Sequence, residues 1–149
     1  AIVAALGPSV TNAMIAIGIV YLPAFSRLAR GSALAVQENE YVTAARAMGA
    51  SDTYTMFLII LPNAIAPLIV HASLGFANAI IVEAALSFLG LGAQPPDPSW
   101  GGMLNQSRQF MSQTITYSIA SGSAIFLSVL GMNLLGDGLR DVLDPRSLD

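Results

Sequence analysis

Apolar residues are gathered into three long stretches of the chain, and the charged residues lie between them. Residues 1–26, 53–82 and 109–136 contain no Asp, Glu, Lys or Arg. Each stretch exceeds the roughly 20 residues that an α-helix needs to cross the hydrocarbon core of a bilayer. The pattern predicts an all-α membrane protein with three transmembrane helices, at about residues 9–29, 61–90 and 115–136.

The connection at residues 37–60 has the pattern of two helices separated by a turn. Its apolar residues recur at three- and four-residue spacing, which places them on one helical face: Tyr41, Ala44, Ala45 and Met48. Gly49 follows at the position where glycine ends a helix, and Ser51 or Asp52 can cap a second helix. The pattern predicts a helix–turn–helix lying on the membrane surface.

The second span is long for one straight crossing, and a break near Asn78 or around Gly90 is predicted. The loop at residues 91–114 contains three closely spaced prolines, which forbid a continuous helix: Pro95, Pro96 and Pro98. Ser99 can cap a short helix after them, with Trp100 at the level of the lipid headgroups.

Composition restricts the chemistry that the chain can perform. Of its 149 residues, 54% are hydrophobic and 10% charged, whereas soluble domains carry about 25% charged residues. The chain has no Cys and no Lys, so it lacks a disulfide, a thiolate nucleophile and the lysine of a P-loop. With His71 as its single histidine, we expect no metal, no cofactor and no catalytic residue, and the net charge of −3 does not favour nucleic acid.

Arginine positions predict the orientation of the chain in the membrane. Cytoplasmic loops carry an excess of Lys and Arg. The first connection and the tail, which three crossings place on the same side, hold five arginines against one in the second connection: Arg27, Arg30, Arg46, Arg140 and Arg146 against Arg108. We therefore expect residues 31–60 and the C-terminus to be cytoplasmic and the loop 91–114 to face outward.

The N-terminal residues predict that the chain is the C-terminal part of a longer membrane protein. The sequence starts at Ala1 within an apolar stretch, without Met and without the charged region that opens a signal peptide.

The segment around residues 40–62 suggests a mechanism. A helix with a small apolar face is suited to a groove in another protein, and Leu61 and Pro62 join this segment to the second span. A push on the surface helix would then tilt the span, which is rigid-body coupling. The alternative interpretation is an ordinary amphipathic helix resting on lipid.

A specific spacing within this segment resembles a known motif. Ala44, Ala45 and Gly49, then nine residues, then Ile59, Leu61 and Pro62 match the EAA loop of ATP-binding-cassette (ABC) importer permeases. Five further stretches extend the resemblance over nearly the whole chain: residues 21–30, 61–64, 83–92, 94–101, and 133–141 with 144–146. Together they resemble the C-terminal part of a dipeptide or oligopeptide importer permease, the second of its two permease subunits.

The resemblance implies a fragment of a larger six-span type I ABC permease fold in the inner (plasma) membrane. It implies a sister permease, two cytoplasmic ATPases that carry the catalytic activity, and an extracytoplasmic solute-binding protein. The residues expected to dock on an ATPase and to join the docking helix to the span are Tyr41, Ala44, Ala45, Met48, Gly49, Ile59, Leu61 and Pro62. Thr43 stands where the motif has Glu, and Glu40 one turn earlier is a partial substitute.

Other readings of the chain are a permease for nickel or another small solute, a scaffold subunit that does not transport, and an intramembrane hydrolase. The hydrolase lacks a base facing Ser73, because His71 two residues earlier lies about 200° around the helix. Three polar residues are candidates for lining a conduit: Asn78, Glu83 and Asn133. The alternatives are hydrogen bonds between helices for the asparagines and a structural role at the outer interface for Glu83.

Overall fold

A computed structural model describes residues 2–143, and this part of the chain is helical, with no strand. The α-helices are α1 (Ile2–Leu6), α2 (Val10–Gln37), α3 (Glu40–Ala47), α4 (Asp52–Tyr54), α5 (Leu61–Phe88), α6 (Trp100–Ser107) and α7 (Thr116–Leu143). A π-helix, Thr55–Ile60, joins α4 to α5, and a 3₁₀ turn, Arg108–Phe110, follows α6. The all-α prediction is confirmed.

Three helical segments in the described residues are long and apolar enough to cross a membrane: Val10–Gln37, Asp52–Phe88 and Thr116–Leu143. Large apolar side chains on them face outward, with exposed fractions of 67% for Val20, 63% for Phe126 and 62% for Leu134. Because hydrocarbon does not penalise an exposed apolar side chain, this surface is suited to lipid contact.

The predicted break near Asn78 is wrong, because α5 runs through this residue without interruption. The amide of Asn78 donates to the backbone oxygen of Leu74 at 3.2 Å, so the side chain bonds to its own helix. The helix ends at Phe88, and Gly90 follows with a φ of +77°. The alternative prediction, a break around Gly90, is confirmed.

Two backbone hydrogen bonds close the end of α5. Gly90 N donates to Ser87 O at 3.0 Å, and Leu91 N donates to Leu86 O at 2.8 Å. This is the pattern in which a glycine in the left-handed region lets the chain turn back over the last helical carbonyls. Leu86 and Leu91 then pack against a small buried cluster formed by Val3, Ala13 and Ala16.

The chain groups into two compact units, each containing parts of the long helices. One unit comprises Ala1–Tyr21 with Leu74–Leu134, and the other comprises Leu22–Ser73 with the chain from Leu135 onward. The first unit contains α1, α6 and the proline-rich loop, and the second contains α3, α4 and the π-helix.

In the first unit, α6 packs directly on the backbone of α5. Gly101 is buried, and a Cβ atom placed on it would lie 2.1 Å from Ala84 O. The side-chain amide of Asn105 donates to Phe88 O, and the Arg108 guanidinium lies 5.8 Å from the centroid of the Phe88 ring. These contacts hold the short helix across the C-terminal end of α5.

The ends of α6 are fixed by serine side chains. Ser99 Oγ accepts a hydrogen bond from Gly102 N at 3.0 Å, so the predicted cap of this helix is confirmed. At the other end, Ser118 Oγ donates to Ser107 Oγ at 2.8 Å, which connects α6 to the beginning of α7. Small polar residues thus connect three consecutive helices of this unit.

We predict that Gly101→Ala destabilises the protein by about 1–3 kcal/mol, because the added methyl group must displace the backbone of α5. Gly122→Ala is the matched control, since a Cβ atom there meets no atom within 4 Å. Thermal unfolding of the purified protein in detergent should give a lower midpoint for Gly101→Ala and an unchanged or higher one for Gly122→Ala. Equal midpoints for the two variants would contradict the described packing of α6.

Candidate functional site

The helix–turn–helix between α2 and α5 begins at Asn39, which ends one helix and precedes another. Asn39 N and Asn39 Nδ2 both donate to Val36 O, at 3.1 and 3.0 Å, which satisfies a terminal carbonyl of α2. Asn39 has an extended backbone, and α3 starts at Glu40. Glu40 in the first turn and Arg46 in the last turn complement the dipole of α3.

Gly49 forms the turn after α3, with a φ of +90°. Gly49 N donates to Arg46 O at 2.9 Å, and Ala50 N donates to Ala45 O at 3.1 Å, the same closing pattern that ends α5. Ser51 then caps α4, its side chain accepting a backbone N–H of that helix at 3.3 Å. The predicted glycine turn and serine cap are both confirmed.

The two halves of the helix–turn–helix are held together by a small buried face. Val42 of α3 is fully buried, as is Thr55 of the π-helix, and Ile60 is 2% exposed. Since α3 packs on the π-helix, Val42 is the side chain that anchors it there. Sequence reasoning missed Val42 because α3 has apolar residues on several sides, so that spacing did not single it out.

The predicted docking residues of α3 are exposed, except for Ala45, which is half-buried. We call them the α3 outer face: Tyr41, Ala44, Ala45 and Met48. Tyr41 is 48% exposed and Met48 83% exposed, Ala44 is exposed, and Ala45 is half-buried. Gly49 and Thr43 are also exposed. In the described structure, this surface is open to a partner rather than used for the chain's own packing.

The other predicted site residues lie where α3 and α4 connect to the long helix. Leu61 is 42% exposed, Pro62 is exposed and Ile59 is half-buried. Pro62 has no backbone N–H, so the α-helical hydrogen bond to Leu58 O cannot form. Leu61 N donates to Met56 O, five residues earlier. The residue that lacks a backbone donor, Pro62, thus comes just after a π-helix. The sequence did not predict this π-helix.

Side chains complete the hydrogen bonding around this π-helix only in part. The amide of Asn63 donates to Ile59 O at 2.7 Å. Thr55 Oγ1 is buried and has no hydrogen-bond partner among residues 2–143. An unpartnered buried hydroxyl is destabilising, and π-helices occur frequently at functional sites. The junction between α4 and α5 therefore combines a π-helix with an unpartnered buried hydroxyl.

The three candidate conduit residues differ in their surroundings. Asn78 is exposed and bonds to its own helix, and Asn133 is half-buried in α7. Glu83 is half-buried, and its Oε1 accepts a hydrogen bond from Ser87 Oγ at 2.6 Å. Of the three, Glu83 lines the cavity described below.

The remaining polar residues of α5 have structural partners. The ring of His71 lies 5.0 Å from the ring of Phe25, centroid to centroid, in an edge-to-face arrangement. Ser73 Oγ donates to Ile69 O at 3.2 Å. No group of three or more His, Asp and Glu residues that could hold a metal ion is found in the part of the chain that the structure describes.

Comparison with known proteins gives a family match over the full chain. The model of the family described as "Binding-protein-dependent transport system inner membrane component" matches residues 1–149.

The dipeptide transport system permease protein DppC of Alkalihalophilus pseudofirmus is 53% identical over 146 residues, which cover 98% of this chain and 48% of that protein. The DppC protein of Escherichia coli is 52% identical over 145 residues (97% and 48%). The glutathione transport system permease protein GsiD of Salmonella typhimurium is 47% identical over 146 residues (98% and 48%). The chain thus spans about half the length of these relatives.

We predict that Val42→Ala loosens α3 from the π-helix, whereas Thr43→Ala does not. Removing the two methyl groups of a fully buried valine costs about 2 kcal/mol, and exposed substitutions change stability by about 0.5 kcal/mol or less. Amide hydrogen exchange in Glu40–Ala47 should accelerate about 30-fold in Val42→Ala. Equal exchange in the two variants would show that Val42 does not anchor the helix.

Proposed function

Because this chain belongs to the family of binding-protein-dependent transport system inner membrane components, we propose that it forms part of a permease subunit of an ABC importer for peptides. The observation that carries the proposal is the exposed α3 outer face, joined through a π-helix to a helix long enough to cross the membrane. A surface helix of this kind provides a mechanical connection between a cytoplasmic partner and a span.

In this mechanism, the α3 outer face docks in a groove of a cytoplasmic ATPase. Its small side chains permit close approach, and Met48 can adapt to the shape of the groove. Because α4, the π-helix and α5 follow one another without a loop, movement of the docked helix passes along the backbone into the span. Pro62 and the π-helix form the joint at which the angle between the two changes.

The proposed assembly contains a sister permease, two ATPases and an extracytoplasmic solute-binding protein. The ATPases hydrolyse ATP, and the permease subunits alternate between outward and inward access. The absence of Lys and Cys from the sequence agrees with this division, since a P-loop requires a lysine. Thr43 replaces the glutamate of the EAA motif, and the exposed Glu40 one turn earlier supplies the nearest carboxylate on α3.

Peptides are the solute class that the relatives favour. Their names specify dipeptides, di- and tripeptides, and glutathione. These solutes share a zwitterionic backbone and differ in their side chains. We propose peptide uptake on this basis. The competing hypothesis is a scaffold subunit, which would assemble with the same partners but would not support uptake.

The proposed orientation places α3 and α4 in the cytoplasm and the loop 91–114 outside. It rests on the excess of arginine near the first connection and in the tail. In this orientation the α3 outer face is on the side where ATP is available, as the docking mechanism requires.

We predict that Ala45→Arg uncouples ATP hydrolysis from transport. A guanidinium on the α3 outer face would have to enter an apolar groove without a partner, which costs several kcal/mol. Peptide uptake by the complete transporter in vesicles should fall at least about tenfold, while the variant still inserts in the membrane and ATP hydrolysis continues. Gly49→Pro should have the same effect, because proline cannot adopt the positive φ of this turn.

Ala35→Arg is the matched control for this experiment. Ala35 is exposed and lies in α2, outside the helix–turn–helix, so the same substitution should leave uptake near the wild-type rate. Normal uptake by a stably inserted Ala45→Arg transporter would refute the docking surface.

We predict opposite accessibility for cysteines placed in the two connections. The chain has no Cys, so single thiols can be introduced at Glu38, outside the docking residues, and at Asp97, both of which are exposed. In intact cells, a membrane-impermeant maleimide should label Asp97→Cys, and it should label Glu38→Cys only after the membrane is permeabilised. The reverse result would invert the proposed orientation.

A further inference from the structure

A cavity of about 740 Å³ lies within the first compact unit. One wall is a face of α2 and the other a face of α5, and the beginning of α6 closes one side. Six residues define its character: Met14, Ile17, Phe76, Ile80, Glu83 and Trp100. Its volume falls in the range of about 300–1,000 Å³ that small-molecule sites occupy.

Glu83 is the one charged residue that lines this cavity. Its Oε1 accepts the hydroxyl of Ser87 at 2.6 Å, and Ser87 Oγ itself accepts Ala93 N at 3.0 Å. This chain of hydrogen bonds fixes the carboxyl group through the turn that follows α5.

A carboxylate beside apolar walls is stable when a positive group compensates it. Neither Arg nor the single His lines this cavity, so these walls supply no such group. A cation inside the cavity would supply it, and the ring of Trp100, which also lines the cavity, is a further group that attracts a cation. The cavity is therefore electrostatically complementary to a ligand with a positive group and an apolar remainder.

We propose that this cavity binds the α-ammonium group of a peptide, with Glu83 as its counter-charge and Ser87 as a positioning residue. This inference rests on the proposed function and specifies how its solute is recognised. The ammonium group is common to peptides with a free N-terminus, whereas their side chains vary. Walls of Met, Ile and Phe accept different apolar groups, and methionine adapts readily to shape. A single charged contact combined with adaptable apolar walls should let the cavity bind many different peptides rather than one specific peptide.

The first test compares Glu83→Gln with Asp97→Asn in the full-length permease, assembled with its sister permease, ATPases and binding protein in vesicles. Glutamine keeps an oxygen that accepts the Ser87 hydroxyl but removes the charge. Asp97 is exposed and does not line the cavity, so Asp97→Asn removes the same charge outside it. Uptake of alanyl-alanine below saturation should fall about tenfold in Glu83→Gln, since a hydrogen bond to a charged group contributes roughly 1.5–3 kcal/mol, and should stay near wild type in Asp97→Asn.

The second test measures occupancy of the cavity without relying on transport. Met103 lines the cavity, and the thiol of Met103→Cys in the same assembled transporter can be labelled with a maleimide. Alanyl-alanine should slow the labelling, whereas N-acetyl-alanyl-alanine, which lacks the ammonium group, should not. Adding Glu83→Gln to Met103→Cys should abolish the protection by alanyl-alanine.

The outcomes separate this inference from the proposed function. If the wild-type transporter takes up no dipeptide, the proposed function fails, and the labelling still decides whether the cavity recognises an ammonium group. If uptake is normal but Glu83→Gln equals Asp97→Asn, or if the acetylated peptide protects equally, the inference is overturned and the proposed function stands. A thiol at residue 103 that does not react before peptide is added would show that another protein segment fills the cavity, which also overturns the inference.

Discussion

A backbone N–H or C=O group that enters hydrocarbon without a partner costs several kcal/mol, and this constraint accounts for most of the described structure. Except at Pro23 and Pro67, which lack a backbone N–H, the long helices can satisfy their own backbone groups. The helices end where other hydrogen bonds replace the helical ones. At Gly49 and Gly90, two backbone bonds close the end of each helix. Polar side chains within the long helices follow the same rule by donating to carbonyls of their own helix, as do Asn63, Ser73 and Asn78.

Pro62 is a position where this constraint changes the helix itself. It removes one donor at the beginning of α5, and the preceding residues adopt a π-helix in which Leu61 N reaches back to Met56 O. Nearby, Thr55 Oγ1 remains buried without a partner in the described residues. π-Helices are frequent at functional positions. The proposed function requires a joint at this junction, between the docking helix and the span.

Local signals in the sequence predicted much of this structure, and long-range contacts account for what they missed. Signals that depend only on neighbouring residues predicted three features correctly. These are the three long apolar helices, the turn at Gly49 and the cap at Ser99. The break near Asn78 was predicted wrongly because an asparagine side chain can bond within its own helix. The burial of Val42 and the contact of α6 with α5 depend on which helices meet, which periodicity does not specify. The docking residues remain a prediction, although their exposure agrees with it.

Under the proposed function, force from an ATPase reaches α5 by two routes. One is the backbone of the turn at Gly49, where a glycine provides little stiffness because its backbone is the least restricted. The other is the packing of α3 on the π-helix, to which a fully buried Val42 contributes roughly 1.5–3 kcal/mol. A push on the α3 outer face would bend the turn unless that packing resists it. Val42, about 100° around α3 from Tyr41, therefore carries toward the π-helix the force that the docking residues receive.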